Sequence, residues 1–224
     1  MILMANAMMG AAGYRPVSAV SEDQYHILIS DYSEAELNSL FSVHGNLTKT
    51  YEPADHGEPC LVVTNGDSVS DFLRFEQPGQ LDGDWDIWVR YELVGAKHYS
   101  GLRFHVGDLS YRIQTAAGTS AGPTAERVFI PGSFNNVPDE YRDSVRELPL
   151  LSRMRFGGGS FSVNTKNAQF PGLDDLWTYP NTAPAQTGYL DMSRGTPYAA
   201  DGREIAIFEI GVGVNGTPAP SLSA

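Results

Sequence analysis

The sequence predicts an all-β protein, a two-sheet antiparallel sandwich with one or two short helices. One segment alternates apolar and polar residues over ten positions, and two further alternating segments are joined by a two-residue turn. About ten short strand-like segments are separated by clusters of Gly, Pro, Asn and Asp, and no βαβ alternation runs along the chain. At 224 residues, 42% of them hydrophobic, the chain is long enough to bury one sizeable core.

The strongest strand signal covers residues 84–93, where the apolar positions share one face and the polar positions the other. The apolar set is Trp85, Ile87, Val89, Tyr91 and Leu93. Alternation returns in residues 102–106 and 109–113, and the Gly107-Asp108 pair between them is typical of a hairpin turn. We expect these three strands to pair as neighbours.

Shorter strand-like segments flank this block: 25–29, 47–51, 60–64, 72–75, 127–130, 161–164, 189–192 and 205–214. Two helices are also predicted. Ser33 and Glu36 have the spacing of a capping box, and the second helix follows Pro138 and ends at Pro149. Apolar residues at helical spacing support them: Leu37, Leu40, Phe41, Tyr141, Val145 and Leu148.

The chain divides into an N-terminal arm (1–21), a β-sandwich domain (22–216) and a flexible, Pro/Ser/Ala-rich C-terminal tail (217–224). The arm is apolar, but it lacks the basic start of a signal peptide and is shorter than the roughly 20 apolar residues that span a membrane. An uncleaved arm that packs on its own domain or a neighbour is therefore favoured over a signal peptide. Long loops at 115–149 and 166–187 are functional or contact neighbouring subunits.

A net charge of −12, with only three lysines and no basic run, argues against nucleic acid and anionic membranes as partners. Cys60 is the one cysteine, so the chain has no internal disulfide and no thiolate zinc site. Its apolar surroundings favour a buried, inert thiol.

Three segments, taken in order, carry a resemblance to a known family. These are residues 58–63 (Glu-Pro-Cys-Leu-Val-Val), the strand at 84–93, and the closing run from Gly202 to Gly213 with its Ile207-Phe208-Glu209-Ile210-Gly211-Val212 core. They resemble the concanavalin A-like lectin/glucanase jelly roll, which includes laminin-G-like modules, over residues 22–216. Stand-alone modules of this kind also resemble phage virion components such as capsid decoration or tail proteins.

Glucanases of that superfamily carry a Glu-x-Asp-x-(x)-Glu set on one strand, and this sequence has no such set. The nearest run, Asp82-Gly83-Asp84-Trp85-Asp86, consists of aspartates and begins in a turn, where short acidic side chains bind the local backbone. We therefore expect no catalytic residues and no enzyme activity. Calcium is possible at these aspartates or at Asp174-Asp175, but nothing else supports it, and no cofactor or metal site is predicted.

A candidate ligand-binding face follows from the expected pairing of the three central strands. Its members are Trp88, Arg90, Arg103, His105 and Arg112, joined by Glu92 and Ser110. A tryptophan ring can stack on the apolar side of a sugar while Arg and His donate to its hydroxyls. Cross-strand Arg–Glu pairing with a covered tryptophan is the alternative, and it is favoured.

The sequence thus leads to a non-enzymatic structural or interaction module, first of all a virion component. It would contact other virion proteins or copies of itself, as a homo-oligomer, through the arm and the long loops. The alternative is a carbohydrate-binding module that takes glycans on a sheet face, and a glycan hydrolase or lyase is the least favoured. The expected location is the virion, or else outside the cell as a secreted protein.

Overall fold

The computed structural model describes residues 18–52, 56–65, 70–94, 102–107, 109–116, 125–130, 133–136, 139–141, 148–172, 177–178, 187–194 and 204–222. Over these residues two antiparallel sheets face each other as a sandwich, which confirms the predicted fold class. The strands are β1 (Ser18–Ser21), β2 (Gln24–Leu28), β3 (Phe41–His44), β4 (Leu47–Glu52), β5 (Cys60–Asn65), β6 (Phe72–Phe75), β7 (Trp85–Val94), β8 (Leu102–Val106), β9 (Leu109–Ala116), β10 (Ala125–Ile130), β11 (Ser133–Asn136), β12 (Leu150–Gly157), β13 (Ser160–Lys166), β14 (Trp177–Thr178), β15 (Leu190–Arg194) and β16 (Glu204–Val214).

The nine-stranded sheet has the order β1-β2-β16-β7-β12-β13-β14, with β5 and then β4 attached beside β16. One edge of β16 pairs along its length with β7. The other edge pairs with β5 over Ile205–Ile207 and with β2 over Glu209–Gly213. A bulge lies where these two partners meet, so that Phe208 and Glu209 both stay out of the main core.

The seven-stranded sheet has the order β11-β10-β9-β8-β15-β6-β3. The core lies between the two sheets and takes buried apolar side chains from both. Trp85, Ile87, Val89 and Tyr91 are fully buried there, as the alternation predicts. The ring of Tyr91 meets that of Phe104, from the opposite sheet, edge-on with centroids 5.5 Å apart, so this pair joins the two layers.

Helix α1 (Glu34–Leu40) begins with the predicted capping box. The Ser33 hydroxyl accepts from the Glu36 amide at 3.4 Å, and the Glu36 carboxylate accepts from the Ser33 amide at 2.8 Å. Phe41, predicted on this helix, instead begins β3. Of the second predicted helix, residues 139–141 form a 3-10 turn and residues 142–147 lie outside the described part. No helix in the described residues is long and apolar enough to cross a membrane.

Residues 217–222, predicted as part of a flexible tail, lie against the outer side of β16. Ala219 and Leu222 are buried, and the Ala219 amide donates to Asp86 Oδ2 at 3.0 Å. The segment comes close because β16 carries glycines at Gly211 and Gly213. A Cβ at Gly213 would lie 2.1 Å from the Thr217 carbonyl oxygen.

The strand pairings correct one expectation. The β8–β9 hairpin across Gly107 forms as predicted. However, β7 pairs with β16 and β12 in the nine-stranded sheet, whereas β8 pairs with β9 and β15 in the seven-stranded sheet. The connection from β7 to β8 therefore crosses from one layer to the other, and the three central strands are not neighbours.

Candidate ligand-binding face

The crossing divides the predicted ligand-binding residues between two surfaces. Trp88 and Arg90 belong to the outer face of the nine-stranded sheet, and Arg103 and His105 to the outer face of the seven-stranded sheet. Arg112 lies on β9, where the backbone pairs it with Arg103. Whether any of these residues binds a ligand stays a prediction, but they do not form one continuous surface.

Arg90 lies in an ion-pair network on the nine-stranded sheet. Its Nε donates to Glu209 Oε2 at 3.1 Å, and its Nη2 donates to Glu58 Oε2 at 2.9 Å. Burial alone raises the pKa of Glu209, yet hydrogen bonds from His26 and Arg90 outweigh it and hold that pKa below its ordinary value of 4.5. These contacts leave Arg90 engaged within the protein, as the Arg–Glu alternative expects.

Two cationic side chains lie over the ring of Trp88. Arg153 Cζ lies 5.2 Å and Lys166 Nζ 5.7 Å from the ring centroid. Arg153 in turn forms a bidentate ion pair with Asp86, in which Nε donates to Oδ1 at 2.7 Å and Nη2 donates to Oδ2 at 2.6 Å. The half-buried tryptophan is thus packed among charged neighbours.

The aspartates of the 82–86 turn also have partners within the protein. Asp82 accepts from the Gly83 amide at 2.9 Å and from the Thr187 hydroxyl at 3.1 Å. Asp84 accepts from the Gly158 amide at 3.2 Å. Among the described residues, no group of three or more His, Cys, Asp and Glu side chains could hold a metal ion.

The outer face of the seven-stranded sheet carries a different set, which we call the polar face. Backbone pairing aligns its members in two rows that cross β3, β6, β15, β8 and β9. One row is Ser42, Arg74, Asp191, His105 and Ser110, and the other is His44, Phe72, Ser193, Arg103 and Arg112. Two members of the predicted site and the Arg112 position therefore come together here.

A stack of flat groups builds one half of the polar face. The His44 and Phe72 rings stack at 4.5 Å, and Arg74 Cζ lies 5.1 Å from the Phe72 centroid and 4.3 Å from that of Tyr189. Arg74 also forms a bidentate ion pair with Asp191, in which Nε donates to Oδ1 at 2.8 Å and Nη2 donates to Oδ2 at 2.9 Å. The stack and the ion pair together fix Asp191 beside β8.

The other half of the polar face holds polar atoms without partners. Arg103 Nε, His105 Nε2 and Ser193 Oγ are buried, and within the described residues none has a hydrogen-bond partner. Only five such side-chain atoms occur in that part of the chain, and three of them are here. Because a buried polar group without a partner costs about 1–3 kcal/mol, this cluster makes the polar face the candidate ligand-binding face.

The charge states of these groups follow from their surroundings. Burial lowers the pKa of His105 below its ordinary value of 6.5, Asp191 partly opposes this, and Arg103 and Arg74 lower the pKa further. His105 is therefore neutral at pH 7 and offers one donor and one acceptor. Burial also lowers the pKa of Arg103, but a guanidinium still keeps its charge at pH 7.

Six members of the polar face were missed in the sequence: Ser42, His44, Phe72, Arg74, Asp191 and Ser193. The strands at 72–75 and 189–192 were both predicted, and the outward positions of each could have been read from their alternation. What the sequence lacks is the order of strands, since long-range pairing places β15 next to β8 and β6 next to β15.

The two-sheet architecture is shared with solved lectin structures. The lectin from Bauhinia forficata in complex with GalNAc superposes with a TM-score of 0.57 at 10% identity, covering 85% of this chain and 97% of that one. The VIP36 exoplasmic/lumenal domain in its Ca²⁺/Man2-bound form gives 0.52 at 13% identity, covering 88% and 91%. The chain has the concanavalin A-like fold.

A third concanavalin A-like neighbour is the CBM2 module of the evolved Dit of Lactobacillus casei BL23 phage J-1. It superposes with a TM-score of 0.52 at 11% identity and covers 88% of this chain and 99% of that module. No family model matches the sequence, and no curated protein matches it. At these identities the likeness establishes the concanavalin A-like fold, as the resemblance over residues 22–216 predicts.

Proposed function

We propose that this protein is a non-enzymatic carbohydrate-binding module that holds a glycan on the polar face. The observation that carries the proposal is the cluster of unsatisfied groups at Arg103, His105 and Ser193. Sugar hydroxyls both donate and accept, so one sugar can complement a guanidinium, a neutral imidazole and a hydroxyl together. The lectins that share the fold, one of them solved with GalNAc, support this reading.

The clamp formed by Arg74 and Asp191 gives the proposed site its rigidity. Asp191 is fixed by two hydrogen bonds, and its position in the row lies between Arg74 and His105. A site whose groups are held before the ligand arrives loses less entropy on binding. This favours recognition of one sugar geometry.

The proposal leaves out catalysis because the acidic residues nearest to a glycosidase arrangement have structural partners. Asp82, Asp84 and Asp86 accept hydrogen bonds from groups of their own chain. Asp86 also lies in β7 of the nine-stranded sheet and therefore not on the polar face. Hydrolysis would need two carboxylates facing one cleft.

A glycan array followed by calorimetry tests the proposal. His105→Ala should weaken the affinity for the best glycan at least tenfold, which corresponds to about 1.4 kcal/mol. The matched control is Trp88→Ala, on the other sheet, which should leave the affinity unchanged. Loss of binding in Trp88→Ala but not in His105→Ala, or no glycan bound at all, would contradict the polar face as the site.

We further propose that the module is carried on a virion, as a capsid decoration or tail component in contact with other virion proteins or with copies of itself. The specific support is the phage J-1 Dit module, which is matched over nearly its whole length. Location outside the cell as a secreted protein is the alternative. Immunogold labelling of purified particles tests this, and absence of the protein from intact particles would contradict it.

A further inference from the structure

The polar face has an excess of positive charge. Arg74 is neutralised by Asp191, but within the described residues Arg103 makes no ion pair with any carboxylate. Arg103 is also paired in the β8–β9 ladder with Arg112, another arginine.

The surroundings of Arg103 make its positive charge costly in the protein without a ligand. Arg103 is half-buried, its Nε is fully buried without an acceptor, and burial lowers the pKa of its guanidinium. On β15, the residue paired with Arg103 is Ser193, which carries no charge. The polar face does hold one carboxylate, Asp191, but both of its oxygens accept from Arg74, so it leaves the Arg103 guanidinium without an ion-pair partner among the described residues.

We propose that the glycan held on the polar face is acidic and that its carboxylate or phosphate group binds Arg103. This inference rests on the proposed function. An oxyanion accepts two parallel hydrogen bonds from a guanidinium, and binding of this kind gives the buried Nε of Arg103 a partner and neutralises its charge. The neutral His105 and the Ser193 hydroxyl then contact sugar hydroxyls beside the anionic group.

The test uses glycans that differ only in charge. Oligogalacturonate is compared with its methyl ester, and a phosphorylated mannose oligosaccharide with its dephosphorylated form, all by calorimetry on the full chain. One of the two acidic probes should bind at least tenfold tighter than its neutral partner, and which one does so separates carboxylate from phosphate recognition. Added salt should weaken the binding of that acidic probe more than the binding of its neutral counterpart.

Three variants complete the test. Arg103→Met should abolish the preference for the acidic probe. Arg103→Lys should restore little of it, because lysine keeps the charge but cannot donate two parallel hydrogen bonds to one oxyanion. Arg155→Met, an exposed arginine on the other sheet, is the control and should keep the preference. Thermal unfolding should show Arg103→Met to be as stable as the unchanged protein or more so, since an uncompensated buried charge is removed.

The outcomes separate the two proposals. Equal binding of acidic and neutral probes, both sensitive to His105→Ala, would overturn the acidic preference and leave the carbohydrate-binding function standing. An acidic preference that persists in Arg103→Met would also overturn the inference. No binding of any glycan would overturn both.

Discussion

Single residues on the two outer faces differ in how their charges are satisfied. On the nine-stranded sheet Arg90 and Arg153 each have carboxylate partners, whereas Arg103 on the seven-stranded sheet has none among the described residues. Partners within the chain favour a structural role, because a ligand would have to displace them. The residues without partners are the ones we assign to binding.

Ser193 and Ser152 form a matched pair for testing this distinction. Both are buried serines, but Ser152 bonds to the Tyr91 hydroxyl at 2.9 Å and to the Thr165 hydroxyl at 2.8 Å, while Ser193 Oγ has no partner in the described chain. Ser152→Ala should cost about 1–2 kcal/mol in urea unfolding, and Ser193→Ala should cost nothing or be stabilising. Equal destabilisation by both substitutions would contradict the assignment.

Arg90→Met should lower the free energy of unfolding by about 3 kcal/mol, because it leaves the buried Glu209 carboxylate without its arginine. Urea unfolding at pH 7 measures this. The exposed Arg155→Met is the control and should change stability by less than about 0.5 kcal/mol. A result near zero for Arg90→Met would mean that His26 alone compensates Glu209.

The lowered pKa of Glu209 makes part of the stability depend on pH. A depressed carboxyl pKa contributes stability that is fully present above the ordinary value of 4.5 and is lost as pH falls through the lowered pKa. The unchanged protein should therefore melt higher than Glu209→Gln at pH 7, and the gap should close as the pH falls below 4.5 and through the lowered pKa. A gap that stays constant over this range would refute the role of Glu209 ionisation.

At the scale of elements, the C-terminal segment depends on the glycines of β16. Gly213→Ala places a Cβ 2.1 Å from the Thr217 carbonyl oxygen, whereas at Gly211 the nearest atoms, the end of Leu222 and the Pro220 carbonyl oxygen, both lie 3.1 Å away. Gly213→Ala should therefore displace residues 217–222 and speed their cleavage in limited proteolysis, and Gly211→Ala should do so much less. Identical cleavage in both variants would argue against this packing.

Local pattern was enough to predict most of the strands but not their partners. β6 and β8 have the predicted bounds, because one face of each is apolar and turns flank them. β12 was missed because two of its residues break the apolar-in, polar-out pattern. The apolar Leu151 faces outward, and the polar Ser152 faces inward, where it bonds to Tyr91 and Thr165. Placing β7 beside β8 failed because consecutive strands are usual neighbours, and here the chain changes layers.

On the scale of the whole molecule, one core joins both sheets, so they should unfold together. All three tryptophans, Trp85, Trp88 and Trp177, lie in strands of the nine-stranded sheet, and their fluorescence therefore reports on that layer. Phe104→Ala, made in the other layer, should cost about 3–5 kcal/mol and shift the fluorescence transition together with the circular dichroism transition. An unshifted fluorescence transition would show that the layers unfold separately.

Both described ends of the chain belong to the same layer. β1 begins at Ser18 on the edge of the nine-stranded sheet, and the packed segment ends at Leu222 on the outer side of β16. A tether attached at either of these points would hold the protein through its nine-stranded sheet. A sensor chip or fusion partner joined to the nine-stranded sheet would leave the seven-stranded sheet, with Arg103 and His105, on the opposite side of the sandwich and open to large polymers in solution.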